Sequence, residues 1–194
     1  MSRKNRRRRR NAGILLLMLA AFVALFVLLI PEYIRKIEYP MKYEEEIRLS
    51  AGVYGFPPSF MAAIVKTESD FDPYATSSVG ARGLMQIMPD TGKWIARKLG
   101  EEQNYTDDNL YDAETSLRYG AWYLDFLLKR YDGYFVNAVA AYHSGQGTVD
   151  EWLKNENYSK DGIALTGLPD GASQTKHYVN KVRKAYEYYQ EAYR

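Results

Sequence analysis

Residues 112–131 read DAETSLRYGAWYLDFLLKRY. Leu117, Ala121, Leu124, Leu128 and Tyr131 recur at intervals of three and four, so a helix gathers them on one face. A strand would need alternation, and there is none. The same spacing continues outward in both directions. Towards the N-terminus, residues 43–54 predict a short helix closed by Gly55 and Pro57. Residues 58–67 predict another, with Phe60, Ala63, Ile64 and Thr67 in register. Residues 89–99 begin with a proline in the first turn and stop at Gly100. Towards the C-terminus, residues 134–143, 148–154 and 173–193 predict three more helices. No alternating run is long enough for a large sheet, although a small hairpin fits between Pro73 and Met88. The expected fold class is all-α, with at most a minor β hairpin.

The chain has 194 residues, 46% of them hydrophobic, which supports one compact domain plus an appendage. It has no cysteine. That excludes a disulfide scaffold, a thiolate metal site and a cysteine nucleophile. The net charge of +2 conceals two opposite parts. Seven Lys and Arg fall in residues 1–10, and residues 11–30 carry no charge. The rest holds 19 basic and 24 acidic residues. The folded part is therefore mildly acidic, and no nucleic-acid partner is expected.

Residues 12–30, AGILLLMLAAFVALFVLLI, form an unbroken apolar run. As a helix it spans about 28 Å, close to a bilayer core. A cleaved signal peptide is the competing reading. The run is longer than a usual signal core, and no small-x-small site follows before Pro31, so an uncleaved anchor is expected. Basic flanks resist translocation, which keeps the N-terminus in the cytoplasm and puts the remainder outside. The expected organisation is a basic cytoplasmic tail at 1–11, a transmembrane anchor at 12–30, a stalk at 31–41 and a catalytic domain at 42–194. The membrane partner is contacted through residues 12–30.

The segment richest in chemistry is VKTESDFDPYATSSVGARGLMQIMP, residues 65–89. A helix runs into Glu68, Asp70 and Asp72, after which Pro73 and Gly80 force irregular backbone. An acid at a helix C-terminus meets the unfavourable end of the macrodipole. Set beside Phe71 and other apolar neighbours, such a carboxyl tends to keep its proton, as a general acid must. On spacing alone, three solvated helix-end acids are the favoured reading.

The segment resembles the signature of the soluble-type lytic transglycosylases, relatives of goose-type lysozyme that cleave bacterial peptidoglycan. Glu68-Ser69, Val79-Gly80-Ala81 and residues 83–89 (GLMQIMP) match without a gap. A second family block is similar to residues 140–145, AAYHSG, with Gly147, Val149 and Trp152 following. A third is similar to residues 174–179, QTKHYV. The helix carrying Leu117, Gly120, Ala121, Tyr123 and Leu124 also resembles the family. The resemblance covers most of residues 43–190, and three ordered blocks are more specific than one short motif.

It implies a lysozyme-like helical domain. Glu68 would protonate the oxygen between N-acetylmuramic acid and N-acetylglucosamine, then take a proton from the C6 hydroxyl. Intramolecular attack by that hydroxyl gives a 1,6-anhydro product without water or metal. The resemblance places Ser77 near the reacting acetamido group and Gln86 in the wall of the site. It makes Met85 and Met88 apolar surface against or under the sugar. It sets the Tyr142 hydroxyl near the acid, Tyr178 in the cleft wall and Gln174 among substrate contacts. No cofactor or metal is implied, and peptidoglycan glycan strands are the expected partner. The implied location is the bacterial cell membrane, single-pass, with the catalytic domain facing the wall. Three positions depart from the pattern: His143 replaces Asn, Ser144 replaces Ala and Gln174 replaces Glu. A hydrolytic muramidase and a non-catalytic wall-binding scaffold remain the alternatives.

Overall fold

The computed structural model describes residues 3–193, with side chains from residue 14 onward. The side chains of the basic tail lie outside the described residues. The chain divides into two compact units, one ending at Pro40 and the other beginning at Met41.

The first unit is one helix, α1 (Arg3–Glu38), which passes through Pro31 without stopping. The helix therefore extends eight residues beyond the apolar run into the segment expected as a stalk. Its stretch Ile14–Glu38 is long and apolar enough to cross a membrane, with a mean hydropathy of 3.1 in its most apolar window. Leu15, Leu17 and Leu28 are about 70% exposed.

The second unit contains seven α-helices among the described residues. They are α2 (Glu44–Tyr54), α3 (Pro58–Ser69), α4 (Pro89–Leu99), α5 (Ala113–Arg130), α6 (Phe135–Ser144), α7 (Gln146–Leu153) and α8 (Ser173–Ala192). Local chemistry sets their ends. Three glutamates occupy the first turn of α2, on the favourable side of its dipole, and Gly55 closes it in the left-handed region. Pro89 begins α4 and Gly100 ends it. The Asp112 carboxylate caps α5 by accepting from the Thr115 amide at 2.9 Å.

The core is built around α3, in which every residue from Ser59 to Val65 is buried. Its main partner is α8, which presents Tyr178, Val179, Val182, Ala185 and Tyr189. On α5 the buried stripe is Leu117, Gly120, Ala121, Leu124 and Leu127. Leu127 is fully buried where spacing pointed to Leu128, which lies about 100° further round the helix and is only half-buried.

No named strand occurs among the described residues. Where a hairpin was expected, two isolated antiparallel bridges join Thr76 to Arg82 and Arg82 to Ile87. Gly80, Gly83 and Gln86 all have positive φ, and these reversals prevent a ladder from extending.

Candidate active site

Glu68 lies in the last turn of α3. The helix stops abruptly because Asp70 and Phe71 both adopt left-handed backbone, at φ 53° and 63°. For a bulky residue such as Phe71 this conformation is strained, so the surroundings must impose it. Its ring is 2% exposed and packs edge-on against Tyr189 of α8. Ser69 completes the anchorage. Its hydroxyl donates to the Leu84 carbonyl at 2.8 Å and approaches that of Val65 at 3.2 Å. The end of α3 is thereby fastened to the loop that follows.

That loop, residues 70–88, is held from beneath. Gly83 has φ +74°, and a Cβ there would come within 1.8 Å of the Leu110 carbonyl oxygen, so only glycine fits. Met85 is fully buried against Gly120, whose missing side chain makes the room. Its amide donates to Ser116 Oγ at 3.2 Å.

The Tyr178 hydroxyl donates to Glu68 Oε1 at 2.6 Å, joining residues 110 positions apart. Burial raises the Glu68 carboxyl from 4.5 to about 7, and the Tyr178 hydrogen bond partly opposes this by favouring the ionised form. Oε2 has no hydrogen-bond partner among the described residues, yet it is not sealed from solvent. A half-buried carboxyl with one oxygen held and one available, titrating near neutrality, is equipped both to give and to accept a proton. Burial, followed by the nearby Glu68 charge, pushes the Tyr178 and Tyr142 phenols well above their ordinary range. Both therefore act as hydrogen-bond donors.

The other expected site residues fall into distinct places. Tyr142 donates to the Met85 carbonyl at 2.8 Å rather than to the acid, and its ring lies 5.4 Å from that of Tyr123. Met85 has no exposed surface and packs beneath the loop. Met88 is 40% exposed at the start of α4 and can present its thioether to a ligand. The Gln86 amide nitrogen donates to the carbonyls of Ala75 and Gly83, both at 3.0 Å. That bracing of the loop leaves only its amide oxygen for substrate. Ser77 Oγ accepts from the Ala81 amide at 3.0 Å, which leaves its proton to donate. Gln174 is exposed in the first turn of α8.

The departures from the family pattern lie on α6 and α8. The His143 imidazole stacks on the Tyr178 ring, with centroids 4.6 Å apart and planes 13° from parallel. Burial lowers its pKa. Ser144 Oγ and Thr175 Oγ1 are 2.6 Å apart and join α6 to α8. His143 and Gln174 line two shallow cavities of about 440 Å³ each, one shared with Thr67 and Tyr178 and the other with Trp152 and Thr175. The place of Tyr178 on the acid went unread in the sequence. Its signal was the match of residues 174–179, which gave the block but not the direction of the side chain. Among the described residues, no group of three or more His, Asp or Glu is placed to hold a metal ion.

Residues 46–164 match the family model described as the transglycosylase SLT domain. The soluble lytic murein transglycosylase of Escherichia coli is 31% identical over 78% of this chain, which corresponds to 23% of that protein. The membrane-bound lytic murein transglycosylase C of Serratia proteamaculans is 31% identical over 83% of this chain and 49% of its own length. The chain thus spans half or less of these relatives. Among solved structures, an inactive glutamate-to-glutamine mutant of the lytic transglycosylase Slt from Pseudomonas aeruginosa superposes with a TM-score of 0.69 at 31% identity, covering 81% of this chain and 25% of that one. The 70 kDa soluble lytic transglycosylase complexed with bulgecin A gives 0.70 at 28% identity, over 79% of this chain and 25% of that one. With matching sequence blocks, a matching helical core and a half-buried glutamate where the first block ends its helix, the chain belongs to the SLT transglycosylase domain family.

Proposed function

We propose that this chain is a membrane-anchored lytic transglycosylase that cleaves the β-1,4 bond between N-acetylmuramic acid and N-acetylglucosamine in peptidoglycan. The observation that carries this reading is the Glu68 carboxyl, held by Tyr178 and titrating at about 7. Near neutral pH it is populated both protonated and ionised, so one group serves two successive steps. In the first, protonated Glu68 gives its proton to the glycosidic oxygen as the bond to the muramyl C1 breaks. The substrate acetamido oxygen shields the developing positive charge at C1, and the Ser77 hydroxyl is free to orient that group. In the second, ionised Glu68 takes the proton from the muramyl C6 hydroxyl as its oxygen bonds to C1. The 1,6-anhydro ring closes, no water is consumed, and the carboxyl is reset. Tyr178 stabilises the carboxylate between the steps, because a hydrogen bond to an ion is stronger than one to a neutral acid.

A hydrolytic mechanism normally needs a second carboxylate, about 5–10 Å from the first, as nucleophile or as base for water. Burial and Tyr178 are what shift the Glu68 titration, and the digestion products decide between the two routes. The relatives' names, two of them lytic murein transglycosylases, support the same substrate. The apolar helix supports anchoring, and the basic run before it supports a cytoplasmic N-terminus.

Digestion of purified peptidoglycan by the full chain in detergent tests the proposal. Mass spectrometry is expected to find muropeptides ending in the anhydro ring, each lighter by one water than a hydrolysed end. Reducing ends would indicate a muramidase instead, and no cleavage would indicate a scaffold.

A further inference from the structure

Four residues of α8 recur at helical spacing: Gln174, His177, Tyr178 and Lys181. They share one face. Tyr178 uses that face to hold Glu68. The other three line the cavity beside it, together with His143 from α6 and Thr67, the residue before Glu68. A second cavity shares His143 and Gln174 and continues to Trp152 of α7.

The lining of both cavities is free of acid. Residues 31–194 carry an excess of acidic side chains, yet neither cavity is lined by an Asp or Glu. Lys181 makes no ion pair among the described residues, whereas Lys66, Arg118 and Arg130 each hold a carboxylate. An exposed ammonium beside two imidazoles and a carboxamide, with no counter-charge, favours a ligand that brings its own negative charge.

We propose that this cavity is a subsite for a carboxylate borne on the side chain of the muramyl residue, with Lys181 supplying charge and His177 and His143 supplying ring nitrogens. The inference deepens the lytic transglycosylase reading and rests on it. Position makes the connection. The cavity is lined by Tyr178, whose hydroxyl holds the proposed acid at 2.6 Å, so it adjoins the place where a muramyl unit would be cleaved and its lactyl substituent is the group proposed to enter it. That substituent ends either in the lactyl carboxylate itself or in the carboxylates of an attached peptide. Both offer the same chemistry.

The test uses the full chain in detergent micelles and four soluble probes. These are the N-acetylglucosaminyl–N-acetylmuramic acid disaccharide, the same disaccharide bearing an alanyl-glutamate dipeptide, and each of the two with its carboxyls converted to primary amides. Calorimetry reads Kd for the unaltered chain and for Lys181→Gln and His177→Gln. One acid probe or both should bind the unaltered chain about fivefold more tightly than its amide, a size appropriate to an exposed charge pair. Which probe shows the preference tells whether the lactyl or the peptide carboxylate is read. Lys181→Gln should erase the preference, and His177→Gln should reduce it, while both variants bind the amides as the unaltered chain does. That last result shows the variants to be folded. Equal affinity of the unaltered chain for acids and amides overturns the subsite, and so does a preference that survives in Lys181→Gln. Cleavage of peptidoglycan, assayed in parallel, reports on the transglycosylase reading alone. Anhydro products without carboxylate preference would leave that reading intact and remove only the subsite.

Discussion

At the scale of single residues, Glu68 links function to stability through one proton. Its titration at about 7 lies above the ordinary 4.5, so the folded chain binds that proton more tightly than the unfolded chain. The sign follows from this. The stabilisation is complete below about pH 4.5, and it is lost as pH rises through 7 and a charge must be kept in a poorly solvated place. Glu68→Gln is therefore expected to leave stability almost unchanged at pH 4 and to raise it by about 1–3 kcal/mol at pH 8. Urea unfolding at the two pH values reads the difference, and an equal gain at both would trace it to something other than the carboxyl. The same variant should lose about a thousandfold in rate, the scale of a missing general acid. Tyr178→Phe makes a complementary case. It removes the one interaction that lowers the Glu68 titration. The alkaline limb of kcat/KM should move to higher pH and the rate at pH 7 should fall about tenfold. A tyrosine that merely filled space would leave the position of that limb unchanged.

At the scale of elements, the site is a helix end, a braced loop and a helix arriving from 110 residues away. The first two were legible in part. Glycine and proline punctuation marked where α3 had to stop, and the three-four spacing marked its buried face. What spacing did not carry was the reversal at Asp70 and Phe71, because nothing in a side-chain pattern announces a left-handed phenylalanine. Nor did it carry the inward turn of Met85. A methionine in a loop reads as available surface until the gap left by Gly120, 35 residues on, is seen to receive it. Tyr142 and Tyr178 show the same limit from the other side. Both were recognised as site tyrosines, but the choice of which one reaches the acid depends on how α6 and α8 cross α3, which is a tertiary fact. Bracing of the loop has a measurable consequence. Gly83→Ala adds a methyl against the Leu110 carbonyl at a positive φ, and is expected to destabilise the chain by about 3 kcal/mol or more. Ser69→Ala removes a single tie and should cost only about 1 kcal/mol. Chemical denaturation ranks the two, and the reverse order would move the critical brace from the glycine to the serine.

At the scale of the whole molecule, opposite charges and opposite surfaces are separated along the chain. The basic and apolar residues are at one end, and an acidic helical domain with its own core makes up the rest. This division was readable from composition alone, since it needs no knowledge of which residues touch. The extent of α1 was not, because Pro31 reads as a boundary although a helix already propagating can pass through it at the loss of one hydrogen bond. The core of the second unit draws on α2 to α8 and contains the full arrangement around Glu68. It should therefore fold and work without the apolar helix. Residues 41–194 alone are expected to be soluble, to unfold in a single cooperative urea transition, and to release anhydro-muropeptides from isolated peptidoglycan at a rate within about threefold of the full chain in detergent. The full chain, in contrast, should sediment with lipid vesicles while residues 41–194 stay in the supernatant. A multi-step transition or a collapse of the rate in the shorter chain would mean that the apolar helix contributes to the catalytic fold, beyond holding it at a membrane.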